Sequence, residues 1–254
     1  MEAWDPMFAD TVDPTRYRRM DAVVRILSEH LRERCTVLEL GSGPGTLASR
    51  VILRFPGVRV VAVDTDPVLL KIGREALRDS RAGASWVLAD LREPNWRAAL
   101  PVHGFDAVIS SLALHWLEED DIRCVYRDAH ALLRPPGILI NADFLPRDLV
   151  RSGDESDGAG DGTNRPGGRT STGVRRFKQE WTKWWGPVQA DPTMRAALRD
   201  RSERMPGSIP PRRTAGPTRP ASLEFHFRAL KAAGFRRIEV RWEDGNFRAV
   251  VGRR

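Results

Sequence analysis

At 254 residues the chain is long for one domain and short for two, so one domain with a sizeable insertion is the expectation. Its 41% hydrophobic content excludes wholesale disorder, and no run approaches the roughly 18 uninterrupted apolar residues of a membrane span. The net charge of +7, carried almost wholly by arginine, raises nucleic acid as a partner, yet residues 1–144 hold more acid than base and the positive excess falls in 145–254. Cys35 and Cys124 are too few for a disulfide framework or a cysteine zinc site. The opening Met1-Glu2-Ala3-Trp4-Asp5-Pro6 lacks the basic-then-apolar pattern of a secretory signal, and together these features predict a cytoplasmic protein.

In chain order, Tyr17, Met20, Val24, Leu27 and Leu31 recur at spacings of three and four and predict an amphipathic helix in an N-terminal cap over 1–35. Five short apolar runs follow: Thr36–Leu40, Arg59–Val63, Ser85–Ala89, Phe105–Ser110 and Gly137–Ala142. Each is typical of a strand buried on both faces, and the spacing between them leaves room for crossover helices, which predicts an α/β fold with a mostly parallel sheet. Leu223, Phe227 and Leu230 mark a further helix ended by Gly234. Two last strands, Arg237–Trp242 and Phe247–Val251, flank an Asp244-Gly245 turn signal and predict an antiparallel closing hairpin.

Between Phe144 and Ala221 this pattern stops, and 145–220 reads as an insertion. Its stretch 150–174 is acidic and glycine-rich, then unpatterned, and reads as flexible linker. Residues 175–205 read as a helical lid, with Phe177, Trp181, Trp184, Trp185 and Val188 on one face.

Chemistry enters at the first strand-to-helix turn, Glu39-Leu40-Gly41-Ser42-Gly43-Pro44-Gly45-Thr46. Its glycines permit a tight turn and close approach to a ligand, and the following helix directs free N–H groups at it. Asp64 ends the second strand about twenty residues on, where a carboxylate accepts hydrogen bonds from ribose hydroxyls. Asp90 ends the third strand, within reach of an adenine amino group.

These residues, with Phe105-Asp106-Ala107-Val108-Ile109-Ser110 and Leu132-Leu133-Arg134-Pro135-Pro136-Gly137, resemble the class I S-adenosylmethionine-dependent methyltransferases over about 36–144 and 221–254. The family usually has Pro-Gly-Gly where Pro135-Pro136-Gly137 stands. The resemblance implies a Rossmann-like seven-stranded sheet with helices on both faces and S-adenosyl-L-methionine as cofactor, giving S-adenosyl-L-homocysteine. It implies that Gly41, Gly43 and Gly45 line the methionine portion, Asp64 holds the ribose, and Asp90 with Leu91 frames the adenine. Glu39, Ser42, Thr65 and Ser110 join the cofactor-binding set, and Asp66 before Pro67 reads equally as a helix cap.

The end of the fourth strand, Ser110-Ser111-Leu112-Ala113-Leu114-His115-Trp116-Leu117, lies beside the reacting methyl in such a fold. It has neither the Asn/Asp-Pro-Pro-aromatic motif of amine methylases nor the lysine of RNA ribose methylases. The two aspartates and asparagine of metal-dependent catechol enzymes are missing too, so no metal is expected. The segment is similar to those of carboxyl methyltransferases acting on trans-aconitate, malonyl-carrier protein, juvenile hormone acid and salicylate. That likeness implies a carboxylate-anchoring Trp116 and a pocket-wall His115, which serves as base if the acceptor is a hydroxyl. Trp116 also reads as packing at the sheet end, and His115 as a structural hydrogen-bonded residue. Trp181, Trp184 and Trp185 read either as the lid's own core or as aromatic cover over the substrate; Tyr17, Arg18 and Arg19 read either as closing the pocket from the other side or, in preference, as helix surface.

Three functions are carried forward. The first is a small-molecule O-methyltransferase, carboxylate favoured over hydroxyl, on an anionic or carrier-bound substrate. The others are a nucleic-acid methyltransferase using the basic second half, and a non-catalytic cofactor-binding partner protein.

Overall fold

The computed structural model describes residues 15–78, 83–148, 171–206 and 220–254. Helix α1 (Arg16–Ser28) leads into strand β1 (Thr36–Leu40), and three further strand–helix units follow. They are α2 (Thr46–Arg54) to β2 (Arg59–Asp64), α3 (Pro67–Ala76) to β3 (Ala84–Leu88), and β4 (Phe105–Ser111) to α4 (Glu119–Leu132). Strand β5 (Leu133–Phe144) precedes the insertion helices α5 (Ser171–Ala190) and α6 (Arg195–Arg204). Helix α7 (Leu223–Ala232) and the hairpin β6 (Arg236–Asp244) and β7 (Phe247–Arg253) close the chain.

The strands form one seven-stranded sheet in the order β3-β2-β1-β4-β5-β7-β6. The first five run parallel, and β7 is antiparallel to both β5 and β6. Side chains alternate across it. Val37, Val60, Ile109, Ile138 and Val251 pack under α1 and α2, while Leu38, Val61, Val108, Leu139 and Val250 pack under α4 and α7. Each face is apolar because each is covered, which is why the strands read as continuous hydrophobic runs.

Three boundaries differ from expectation. Strand β5 begins at Leu133, since a register shift between Phe105 and Ala107 absorbs the Arg134-Pro135-Pro136-Gly137 segment. Helix α1 is less a cap than part of the sheet's covering layer, with Met20, Val23, Ile26 and Leu27 all buried in the core beside α2. The linker expected over 150–174 lies outside the described residues up to 170, and from Ser171 the chain is helical; no apolar periodicity marks that first turn. Among the described residues no helix is long and apolar enough to cross a membrane.

Candidate functional site

Strand order reverses between β1 and β4, whose following helices α2 and α4 cover opposite faces, so a crevice opens at their carboxyl ends. The glycine-rich turn fills its rim. Gly41, Gly43 and Gly45 have φ of 67°, 55° and 79°, the left-handed region glycine tolerates. A Cβ at Gly41 would stand 2.2 Å from Ala113 Cβ, and one at Gly45 would stand 2.3 Å from Trp86 Cη2. At Gly43 a Cβ would meet nothing within 4 Å. The outer glycines are thus demanded by packing, whereas the middle one borders open space.

Two carboxylates at the carboxyl ends of β1 and β2 are disfavoured as anions by their burial. Glu39 is 2% exposed, and its Oε2 has no hydrogen-bond partner among the described residues. Burial, reinforced by the Asp64 charge, pushes Glu39 up to about 8, although the Ala48 N–H and Arg16 act the other way. Asp64 is raised to about 6, again mainly by burial. Its Oδ2 accepts the Gly43 N–H at 2.7 Å and its Oδ1 the Asp66 N–H at 2.9 Å. A buried unpaired carboxyl oxygen is costly in water-excluded surroundings, and a cationic, multiply hydroxylated ligand would relieve both groups. The donor set therefore fits the positively charged amino-acid end and the ribose of S-adenosylmethionine.

The other expected cofactor residues divide. Ser42 is buried, with its N–H on the Val63 carbonyl, so it braces the turn. Ser110 donates its buried hydroxyl to the Leu40 carbonyl at 3.0 Å and so ties β4 to β1. Asp90 holds its own turn, accepting the Arg92 N–H at 3.0 Å and pairing with the Arg92 guanidinium. Burial opposes ionisation of Asp90, but those Arg92 contacts keep its carboxyl below the ordinary range. Leu91 and Thr65 are half-buried, Leu91 against the core beneath β3 and Thr65 beside Asp64. Asp66 caps α3 as expected, its Oδ1 accepting from Val68 N–H at 2.9 Å.

At the end of β4 the chain bends at Leu112, whose φ of 50° is unusual for a branched side chain, and a short 3₁₀ turn, Leu114–Trp116, presents the next two residues. His115 Nδ1 lies 2.6 Å from Asp143 Oδ1, and the His115 backbone N–H donates to Asp143 Oδ2 at 3.2 Å. Asp143 is fully buried near the end of β5. Burial resists its ionisation, yet the charge and hydrogen bond of His115, with the N–H groups of Phe144 and His115, hold it below the usual carboxylate range. Trp116 is 49% exposed with its ring centroid 5.0 Å from that of His115. About half of its surface is thus open to solvent. Sequence reasoning missed Asp143 because its strand was read only as far as Ala142. Parallel pairing of Ser111 with Ala142 sets Asp143 beside the His115 turn, and that register was the available signal.

The tryptophans of the insertion form an apolar core of their own. Trp185 is 2% exposed and packs on Val68 of α3, with Trp184 and Val188 from α5 and Leu198 from α6 around it. Helices α5 and α6 thus dock on α3, next to the Asp64–Asp66 turn. The Trp181 side chain lies outside the described residues. Tyr17 is stacked by Arg50 of α2 at 5.3 Å, against the helical layer opposite the one that Asp143 faces. Arg19, expected on the surface, is fully buried, its Nε 3.2 Å from Ser111 Oγ. The amphipathic period of α1 turns it inward.

Residues 37–137 match the family described as methyltransferase domain. Residues 37–137 thus form a methyltransferase domain of the class I, S-adenosylmethionine-dependent kind. The trans-aconitate 2-methyltransferase of Azoarcus sp. (strain BH72) is 34% identical over 151 residues, covering 58% of this chain and 52% of that protein. An O-methyltransferase family protein from Burkholderia thailandensis superposes with a TM-score of 0.57 at 17% identity, over 97% of this chain and 58% of its own. Human N-acetylserotonin methyltransferase, solved in complex with S-adenosylmethionine, gives 0.56 at 13% identity, over 100% of this chain and 56% of its own. At these identities the two structures share the fold of the methyltransferase domain. The chain spans about half the length of the curated relatives it matches.

Proposed function

We propose that the protein transfers the methyl group of S-adenosylmethionine to an oxygen of a small molecule, a carboxylate in preference to a hydroxyl. The carrying observation is the His115–Asp143 pair with the half-exposed Trp116 beside it, at the carboxyl end of β4. When bound, S-adenosylmethionine supplies a methyl group already activated on a cationic sulfur. Glu39 then holds the ammonium group, Asp64 the ribose hydroxyls, and the turn at Gly43 gives the ligand room to lie against the backbone.

His115 decides the acceptor by charge. With the imidazole protonated, the His115–Asp143 pair is net neutral and offers Nε2–H as a donor; with it neutral, the pair carries the Asp143 charge and offers a lone pair. A carboxylate selects the first state and is held by Nε2–H and the Trp116 indole N–H. Exclusion of water favours a reaction in which opposite charges cancel, and no base is needed. The trans-aconitate relatives support this choice. A hydroxyl acceptor is the second reading. It is favoured by the fixed Nδ1 contact, which orients Nε2 as a general base does.

The two readings differ in the product, since an ester releases methanol in base and an ether does not. A survey of small acids with methyl-labelled cofactor tests the proposal, and a base-stable label on a hydroxyl compound would move the assignment to the second reading. Nucleic acid draws its support from charge alone. In α6 that charge is partly spent, Arg201 on Asp66 and Arg204 on Asp200. A non-catalytic role predicts cofactor binding with no turnover on any acceptor. The division into a methyltransferase domain at 36–144 and 221–254 with an inserted 145–220 remains part of this proposal.

A further inference from the structure

We infer that the insertion serves the cofactor rather than the acceptor: helix α6 is a strap on the adenosine side of the crevice, and Arg201 is its positioning residue. This rests on the cofactor reading of the crevice given above. Arg201 Nε donates to Asp66 Oδ2 at 2.7 Å, with the two side chains 4% and 8% exposed. The other Asp66 oxygen accepts the N–H groups of Val68 and Leu69 at the start of α3. The Asp66 backbone N–H in turn donates to Asp64 Oδ1, and Asp64 Oδ2 accepts the Gly43 N–H. A continuous run of hydrogen bonds thus leads from the strap to the ribose carboxylate and the glycine-rich turn.

The chemistry of this contact is more specific than helix docking requires. An apolar patch already joins the two parts: Trp185 on Val68, with Leu69, Ile72, Val188, Ala197 and Leu198 around them. Adding a buried ion pair to such a patch is at best neutral for stability, because two charges must leave water. Its placement gives it a role. Asp66 is the like charge that works against ionisation of Asp64, and a guanidinium on Asp66 offsets that charge where the ribose is held. The Arg201 guanidinium also lies 5.0 Å from the Trp185 ring centroid, so the residue that completes the turn is itself fixed by the insertion's core.

Linkage makes the effect reciprocal. A strap that favours the bound form of the pocket must be held more firmly when the pocket is filled.

The test uses the full chain and S-adenosylhomocysteine. Hydrogen exchange with and without it should show slowed exchange in 195–204 as well as at the glycine-rich turn. Titration calorimetry should show Arg201→Met weakening its binding roughly tenfold. Asp66→Asn keeps the oxygen that caps α3 and removes the like charge that Arg201 offsets, so it should weaken binding much less than Arg201→Met. Adding it to Arg201→Met should recover most of the loss, because the charge left uncompensated is then gone, and Arg201→Lys should restore part of the loss. The inference is overturned if exchange in 195–204 is unchanged while the turn is protected, if Arg201→Met binds as the unaltered protein does, or if Asp66→Asn recovers nothing in the Arg201→Met background. Should Arg201→Met fail to fold, the exchange measurement on the unaltered protein decides alone. If the unaltered protein binds no S-adenosylhomocysteine, the cofactor reading falls, and the strap with it.

Discussion

Replacing Glu39 by glutamine separates a pocket built for a cation from one that is merely tight. In the free protein, burial lifts Glu39 to about 8 and Asp64 to about 6. A ligand ammonium that takes up the unpartnered Oε2 needs Glu39 ionised. Removing a proton from a group titrating near 8 costs about 3 kcal/mol at pH 6 and well under about 1 kcal/mol at pH 8. Affinity for S-adenosylhomocysteine, which keeps that ammonium, should therefore rise roughly 50-fold over this interval, with about one proton released per molecule bound at pH 7. Asp64, about half protonated at pH 6, adds only about twofold. Glu39→Gln should leave that twofold slope and weaken binding most at pH 8. Calorimetric titrations at pH 6, 7 and 8, in buffers of different ionisation enthalpy, read both quantities. An unchanged slope in the variant, or no proton release by the unaltered protein, would refute the reasoning.

The remaining predictions concern packing, the dyad and folding. Gly41→Ala combines a left-handed backbone with a Cβ 2.2 Å from Ala113 Cβ, so it should cost about 2–4 kcal/mol in urea unfolding. Gly43→Ala, where the added Cβ meets only open space, should lose cofactor affinity with a smaller loss of stability; equal stability losses for the two would contradict the packing account. Asp143→Asn removes the charge that holds His115 Nδ1 and should lower kcat/KM by about 10–100-fold, and a change of less than twofold would remove the dyad from the mechanism. Ligand-free stability should fall as pH rises from about 4.5 towards 8. Glu39 and Asp64 bind protons more tightly in the folded chain, so their contribution is full below their unfolded values and is lost as they ionise. Asp143 acts in the opposite sense: its folded value is depressed, so its contribution stands above the ordinary carboxylate range and is lost on acidification through that lowered value. Thermal melts across this range, with Glu39→Gln as the control that flattens the alkaline loss, check the sign.

The legible parts of this chain are those set by local pattern. Two-sided burial makes β1 to β5 read as apolar runs, Asp244-Gly245 marks the β6–β7 turn, and the glycine spacing locates the crevice. Asp64 could be placed because its role follows from a strand end at a fixed remove from the turn. Asp143 and the Asp66–Arg201 pair could not be found that way, since each depends on a partner far along the chain. His115 meets Asp143 across 28 residues through the β4–β5 register, and Arg201 meets Asp66 across 135 through the docking of an insertion. The tryptophans of α5 show the same limit. Their helical spacing announces an apolar face, but which helix receives that face is settled by tertiary packing, and the receiver is α3. The Ser110 bond to β1 was illegible for a related reason: spacing alone does not say which neighbouring strand a strand-end hydroxyl meets.

The central claim, that the crevice between β1 and β4 is an S-adenosylmethionine site, is tested most directly by calorimetric titration of the purified chain with S-adenosylmethionine at pH 8. Saturable binding at one site, weakened by Glu39→Gln and by Gly43→Ala, is the predicted result. No binding, or binding indifferent to both substitutions, would contradict it.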